Sequence, residues 1–474
     1  MFKIRHYLFM IGEGSLDLFI SIIISILVVR TQGDSALGMF SYFLSFYLLS
    51  GLVSEFGITK SLEREAAFHT NSGVRKKKYR ESYDAVLLFS IFCTTVIIVT
   101  SFYSTSVTIL DENIIPYFII AFTIPLQNIN KLRIAFINGT GKHEQASKFI
   151  IKKRISLLVI FLILLMFNMP SSFLIIGFFL AELLLLITMT KTNIDLFPQT
   201  WKLSGYAGVI QQIMTGYKYL LSGETLNIIF YLDYLILGMF VSSDKLGIYA
   251  KAVILTRCFL VVPLSIRPIL RKIYCNLASE NDLKKLNEII NRSTVTLFFL
   301  QSVLALYILL HFPAVLNALF GPENDLIMPF NVFVIFLPGL LYFSSFILQE
   351  SLYEAAGAVL QLQRLVITVS IVNLFLNIYL VPFAGISGAA LATAGAMLVY
   401  FYMFGRGDLK DFRLNKMVYV YAGAVLYVTY TILKYIDFGF LLDIWLIPLL
   451  ILIFYTLINV FNRTIFAESK IQIY

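Results

Sequence analysis

Apolar stretches long enough to cross a bilayer as helices recur from one end of the chain to the other, separated by short polar segments. They fall at about 8–29, 36–57, 84–109, 114–138, 154–169, 171–190, 218–241, 247–268, 293–312, 328–350, 364–381, 384–405, 416–434 and 440–461. Most run roughly 18–24 residues, enough for a ~30 Å hydrocarbon core. The pattern predicts an all-α, polytopic membrane protein with about fourteen transmembrane helices.

Two intervals depart from simple span-and-loop alternation. In 269–292, "SENDLKKLNEIINR" offers capping residues at Ser279 and Asn281. Leu283, Leu286, Ile289 and Ile290 then follow at helical spacing opposite Lys284, Lys285 and Glu288. This predicts a non-spanning helix lying on the inner membrane surface. "PAVLNALFGPEND" predicts a short interfacial helix on the other side, stopped at Gly321-Pro322.

A weak internal repeat organises the spans. "VVRTQGDSALGMFSYFL" and "LGMFVSSDKLGIYAKAV" each turn and restart on Leu-Gly-x-aromatic, at Gly38 and Gly247. Six helices separate the two restarts, and an even number preserves orientation. The chain therefore divides into two parallel six-helix halves, 1–195 and 196–407, with a terminal hairpin and cytoplasmic tail over 408–474. Parallel halves of this kind predict a transporter whose substrate path follows their interface.

Composition agrees: 59% of residues are hydrophobic and 14% charged. The net charge of +9 suggests nucleic acid until its placement is considered. Basic residues gather in alternate loops, such as "KSLEREAAFHTNSGVRKKKYR", "GKHEQASKFIIKKR" and "GRGDLKDFRLNK". The positive-inside rule makes those loops, and both termini, cytoplasmic. Glu13 and Asp17 inside the first apolar stretch, and no small-residue cleavage site, predict a retained helix rather than a signal peptide. Cys93, Cys258 and Cys275 stand at no metal-like spacing and read as small hydrophobes. No nucleophile-base constellation, P-loop or metal cluster is evident, so neither an enzyme nor a cofactor is expected.

Several segments are familiar in sequence. They are "ALGMFSYFLSFYLLSGLVSEFGITKSLERE", "LRIAFINGTGKHEQAS", "YLDYLILGMFVSSDKLGIYAKAVILT", "VLNALFGPE" and "NLFLNIYLVPFAGISGAALATAGAMLVYF". Through them the chain, to about residue 405, resembles the polysaccharide flippases of the multidrug/oligosaccharidyl-lipid/polysaccharide exporter superfamily, most closely the O-antigen and capsule-repeat translocases. The resemblance implies a V-shaped, two-lobed transporter of a bacterial inner membrane. It would move an undecaprenyl-diphosphate-linked oligosaccharide from the inner to the outer leaflet by alternating access. Expected partners are that lipid-linked oligosaccharide and membrane lipids, with a proton or sodium ion and the polymerase and chain-length proteins as further candidates. The alternatives are a multidrug cation antiporter of the same superfamily and a flippase for a lipid-linked peptidoglycan precursor. A membrane transferase or polymerase would call for a large outer loop, and the outer loops are short.

Ionisable residues inside apolar runs are the candidate chemistry. Glu13 and Asp17 lie one helical turn apart on the first span. Two such carboxylates raise one another's proton affinity, which suits a proton- or sodium-coupled step; satisfaction by polar neighbours is the structural alternative. Asp233 and Arg257 fall at similar depth on the seventh and eighth spans. They read either as an ion pair locking that hairpin or as a carboxylate beside an arginine that receives the diphosphate, with Lys251 nearer the outside. Arginine suits this because its planar fork binds phosphate bidentately and keeps its charge. Lys131 and Arg133, near the cytoplasmic end of the fourth span, read as interfacial anchors or as a rim meeting an anionic headgroup. Asn373 and Asn377, one turn apart, read as links between helices.

Overall fold

A computed structural model describes residues 2–104, 114–191, 205–220, 225–279, 283–322 and 325–404. Among the described residues there is no strand, and seven helices are long and apolar enough to cross a membrane. The predicted spans at 416–434 and 440–461 lie outside the described residues.

Two of the helices are each broken once and carry two predicted spans. Helix α1 (Phe2–Glu55) turns at Gly33, whose φ of 85° lies in the left-handed region that glycine enters without strain. The last described helix, Val359–Phe404, turns at Gly385 with φ 54°, three residues after Pro382, which has no N–H to continue the ladder. Between them follow α2 (Ile58–Phe68), α3 (Ser72–Ser104), α4 (Ile115–Gly139), α5 (His143–Met166) and α6 (Ile176–Lys191). Then come α7 (Tyr206–Tyr217), α8 (Thr225–Phe240), α9 (Ser243–Ser279), α10 (Leu283–Leu310), α11 (Phe312–Phe320), α12 (Ile327–Phe346) and α13 (Glu350–Ala355). The helix Val359–Phe404 is α14.

Two expectations need correction. The segment 269–292 is not a separate surface helix: α9 runs on to Ser279, and α10 begins at Leu283 and continues into the span. Leu286 and Ile290 are buried with Leu297 on one face, against Leu270, Tyr274 and Leu277 of α9. The apolar stripe therefore belongs to the packing of α10 against α9, not to a membrane surface. The seventh span, expected from residue 218, begins at Thr225 as α8, and the chain before it forms the separate helix α7. The interfacial helix is present as α11, ending at Gly321 with φ 96°.

Helices α1–α7 pack among themselves, as do α8–α14, and α1 is the main element through which the two sets meet, against α9, α8 and α11. Several buried polar groups are tied helix to helix, as a bilayer demands. The Asn128 amide of α4, for example, donates to Ser54 of α1 at 2.7 Å and to Ser90 of α3 at 2.9 Å. The end of the bundle that carries α2, the α4–α5 turn, the end of α9 and the start of α10 holds most of the lysines and arginines among the described residues; we call it the basic end, and its counterpart the opposite end.

Candidate functional site

At the opposite end, the second limb of α1 crosses the start of α9 at backbone contact. A Cβ on Gly38 would lie 2.1 Å from the Ser243 carbonyl oxygen, and one on Gly247 would lie 2.0 Å from that of Asp34. Gly38 and Gly247 are separated in sequence by the same interval as Asp34 and Ser243, so the contact is reciprocal: equivalent positions of the two Leu-Gly-x-aromatic segments face each other. Any side chain at either glycine forces the helices apart.

Polar contacts flank this crossing. The Ser35 and Ser243 hydroxyls are 2.5 Å apart. The Lys251 ammonium, 1% exposed, pairs with Asp34 at 2.6 Å and lies over the Phe320 ring of α11. Arg30, at the end of the first α1 limb, donates from Nε to the Leu319 carbonyl at 2.8 Å and from Nη2 to that of Ala318. It thus caps the otherwise unpaired carbonyls at the C-terminus of α11, where a cation also meets the negative end of the helix dipole. Lys251, expected near the diphosphate, therefore has its charge committed to this closure in the state described.

Below the crossing, inside the second set of helices, Asp233 of α8 is 0% exposed and held from three sides. Tyr249 of α9 donates to Oδ2 at 2.5 Å, and Thr393 of α14 donates to the same oxygen. The amides of Asn373 and Asn377 donate to Oδ1 at 3.2 and 2.7 Å. All four hydrogen-bond partners among the described residues are neutral. The carboxylate is therefore solvated by the protein without its charge being cancelled by them. The Asn373 and Asn377 amide oxygens are buried beside it with no hydrogen-bond donor. The expected pairing with Arg257 is replaced by this network. The asparagines do link helices, as their spacing predicts.

The remaining candidates are dispersed. Lys131 pairs with Glu55 at 2.8 Å, and Thr59 donates to the other Glu55 oxygen, at the basic end. Arg133 is buried against the Tyr79 and Tyr83 side chains rather than standing on a rim. Glu13 and Asp17 lie on the first limb of α1, and their side chains are outside the described residues.

A second buried charge centre, in the first set of helices, escaped sequence reading as a unit. Glu182 of α6 is 1% exposed and pairs with Lys153 of α5. Asn130 of α4 donates to its Oε2 at 2.9 Å, and the Tyr47 hydroxyl of α1 approaches Oε1 at 3.5 Å. Lys153 was hidden in "IIKKR", where it reads as part of a cytoplasmic loop; α5 begins ten residues earlier, at His143, and carries it into the bundle. Here the charge is cancelled by a cation, unlike at Asp233. Glu182→Ala is expected to destabilise the protein by about 3–5 kcal/mol by stranding the ammonium. Glu182→Leu combined with Lys153→Met should cost less, and thermal unfolding in detergent compares the two.

Comparison with known proteins bears on the whole arrangement. The model of the polysaccharide biosynthesis protein family matches residues 8–268. The probable flippase AglR of Haloferax volcanii is 29% identical over 222 residues, covering 44% of this chain. The chain spans about half of that relative, 45% of its length. In structure, the chain is similar to the lipid II flippase MurJ in its inward closed conformation, with TM-score 0.69 and 14% identity, covering 94% of this chain and 97% of that one. It is also similar to an inward-facing multidrug resistance transporter of the MATE family in the MOP superfamily, with TM-score 0.61 and 13% identity over 83% of this chain and 94% of that one. At these identities the structural likenesses establish the fold.

Proposed function

Because the chain belongs to the polysaccharide biosynthesis protein family, we propose that it is a flippase carrying an undecaprenyl-diphosphate-linked oligosaccharide from the inner to the outer leaflet by alternating access. The observation that carries the reading is the reciprocal Gly38–Gly247 crossing, which joins two sets of helices at one end through backbone contact and few side-chain ties. Such a seam closes tightly and parts without unravelling either set. We take residues 1–195 and 196–407 as the two halves, with α7 moving with the first, and the basic end as cytoplasmic, following the positive-inside rule. The state described is then closed toward the outer leaflet.

Asp233 is the coupling acid in this reading. A dry carboxylate surrounded by neutral donors, with two amide oxygens to spare, suits uptake of a proton or a sodium ion, and either changes the charge of the second half. Glu13 and Asp17 are further acids for the same step. Arg257 is the proposed diphosphate contact; Lys251 joins it only when the Asp34 pair opens, and Lys131 with Arg133 marks the basic end of the path. The membrane potential assists, since each negative charge moved outward gains ~2.3 kcal/mol per 100 mV.

The test is outer-leaflet labelling of the lipid-linked repeat in cells deleted for the protein and complemented with variants. Deletion should abolish labelling and the wild-type chain restore it. Arg257→Ala should lower it about tenfold or more, and Arg257→Lys should recover part, since a lysine keeps the charge but not the bidentate fork. Unchanged labelling on deletion would overturn the function. A second reading, a flippase for a lipid-linked peptidoglycan precursor, is favoured by the full-length structural likeness to MurJ; rescue of a strain lacking that activity decides between the two.

A further inference from the structure

At the basic end, a groove of about 410 Å³ opens between α2, the turn after α7 and the first residues of α14. The sequence placed nothing there, and the transport reading above leaves it unused. Two cations stand at its walls, Arg64 on α2 and Lys218 after α7, both exposed. The Arg64 guanidinium donates to the Tyr219 hydroxyl, which leaves that hydroxyl's own proton free to point to a ligand. One carboxylate, Glu65, also lines the groove; it accepts from the Gln212 amide at 2.9 Å and faces Lys78 at 3.9 Å, so its charge is directed to the far wall.

The floor carries a polar group without a partner. Ser61 lines the groove at 1% exposure, and its Oγ makes no hydrogen bond. A buried hydroxyl left unpaired costs about 1–3 kcal/mol unless a ligand or water completes it. An oxyanion in the groove would find donors in Arg64, Lys218 and the Tyr219 hydroxyl, with the unpaired Ser61 hydroxyl also in the lining, a donor set that matches phosphate. The lining also carries apolar side chains, of which Phe68 is 83% exposed and Leu360 46%. Cations beside exposed apolar side chains match an amphiphile that carries a phosphate next to an acyl chain.

We propose that this groove binds the phosphate of an inner-leaflet lipid, seated between the first set of helices and the start of α14. The leaflet assignment rests on the orientation adopted for the flippase reading; the phosphate chemistry does not. The phosphate belongs either to a bulk anionic phospholipid or to the polyprenyl carrier as it arrives at the basic end.

The full-length protein, purified in detergent, tests this by native mass spectrometry with four probes: phosphatidylglycerol, phosphatidylcholine, undecaprenyl phosphate and inorganic phosphate. Wild type should retain an anionic lipid at least fivefold better than phosphatidylcholine, and Arg64→Gln with Lys218→Gln should erase that preference. Ser61→Ala should weaken retention with the fold intact, since it removes only an unpaired hydroxyl. Preference for undecaprenyl phosphate over phosphatidylglycerol identifies the carrier as the ligand, and equal retention identifies bulk lipid. Equal binding by wild type and the double variant, or binding of inorganic phosphate alone, would overturn the proposal. Because the readout is retention and not transport, its failure leaves the labelling experiment untouched, and the reverse also holds.

Discussion

Gly247→Ala should abolish transport while leaving a folded protein. The new Cβ would sit 2.0 Å from the Asp34 carbonyl oxygen, a contact no rotamer relieves because both partners are backbone. Separating α1 from α9 enough to admit it costs the closed state about 1–3 kcal/mol or more. The open state carries no such penalty, so the population of the closed state falls roughly 5- to 150-fold relative to it. Gly38→Ala should do the same, since its Cβ would lie 2.1 Å from the Ser243 carbonyl oxygen. Ser35→Cys reports the change: its position, 2.5 Å from the Ser243 hydroxyl, is half-buried in the closed state and becomes fully accessible when the crossing parts. The expected result is fast labelling of the introduced thiol by a membrane-impermeant maleimide in the glycine variants and slow labelling in the parent. Wild-type transport with slow labelling in Gly247→Ala would show that the crossing is not a gate.

Asp233 gives the second large effect, and here two substitutions must be compared. Asp233→Leu removes the acceptor for Tyr249, Thr393, Asn373 and Asn377, at about 1–3 kcal/mol for each donor left buried and unpaired. That exceeds the whole margin of many domains, so the variant should accumulate poorly. Asp233→Asn preserves shape and one acceptor oxygen but removes the charge. If Asp233 only ties helices together, the asparagine variant should transport near the wild-type rate with a modestly lower melting temperature. For a coupling acid, transport should instead fall about tenfold or more, and the remaining activity should no longer respond to a collapsed ion gradient. A wild-type response to the gradient in Asp233→Asn would remove Asp233 from the coupling role.

Much of the fold was legible because the bilayer imposes a length and a polarity on every span. The Gly321 stop follows from a residue whose backbone freedom is local, so it reads directly from sequence, and the predicted span boundaries at 29–36 and 381–384 fall at or beside the Gly33 and Gly385 turns. The Leu-Gly-x-aromatic repeat also pointed to the right place, although not to its purpose: nothing in one sequence says that two distant glycines face each other. Side-chain partnerships were harder. Depth along a span put Asp233 and Arg257 in one layer, but depth says nothing about rotation around the helix, and rotation turned Asp233 toward Asn373, Asn377 and Thr393. Lys153 was lost for another reason. Its basic neighbours marked the segment as a loop, while the helix that carries it begins at His143 and brings a buried partner, Glu182, within reach.

Helix α7 bears on the mechanics of the molecule. A Cβ on Gly57 would lie 2.4 Å from the Gly216 carbonyl oxygen, and one on Gly216 would lie 2.8 Å from that of Phe56, so α7 is clasped to the α1–α2 corner. Gln212 secures it further, accepting from Ser82 and donating to Glu65. Helix α7, which lies in the connection between the two sets of helices, thus travels as part of the first. The pivot of any rocking motion is thereby placed after Tyr217, beside the Gln363 amide that reaches the Tyr217 carbonyl at 2.8 Å. With α7 bolted to the first set, a small turn about its end sweeps the far Gly38–Gly247 crossing through a much larger arc.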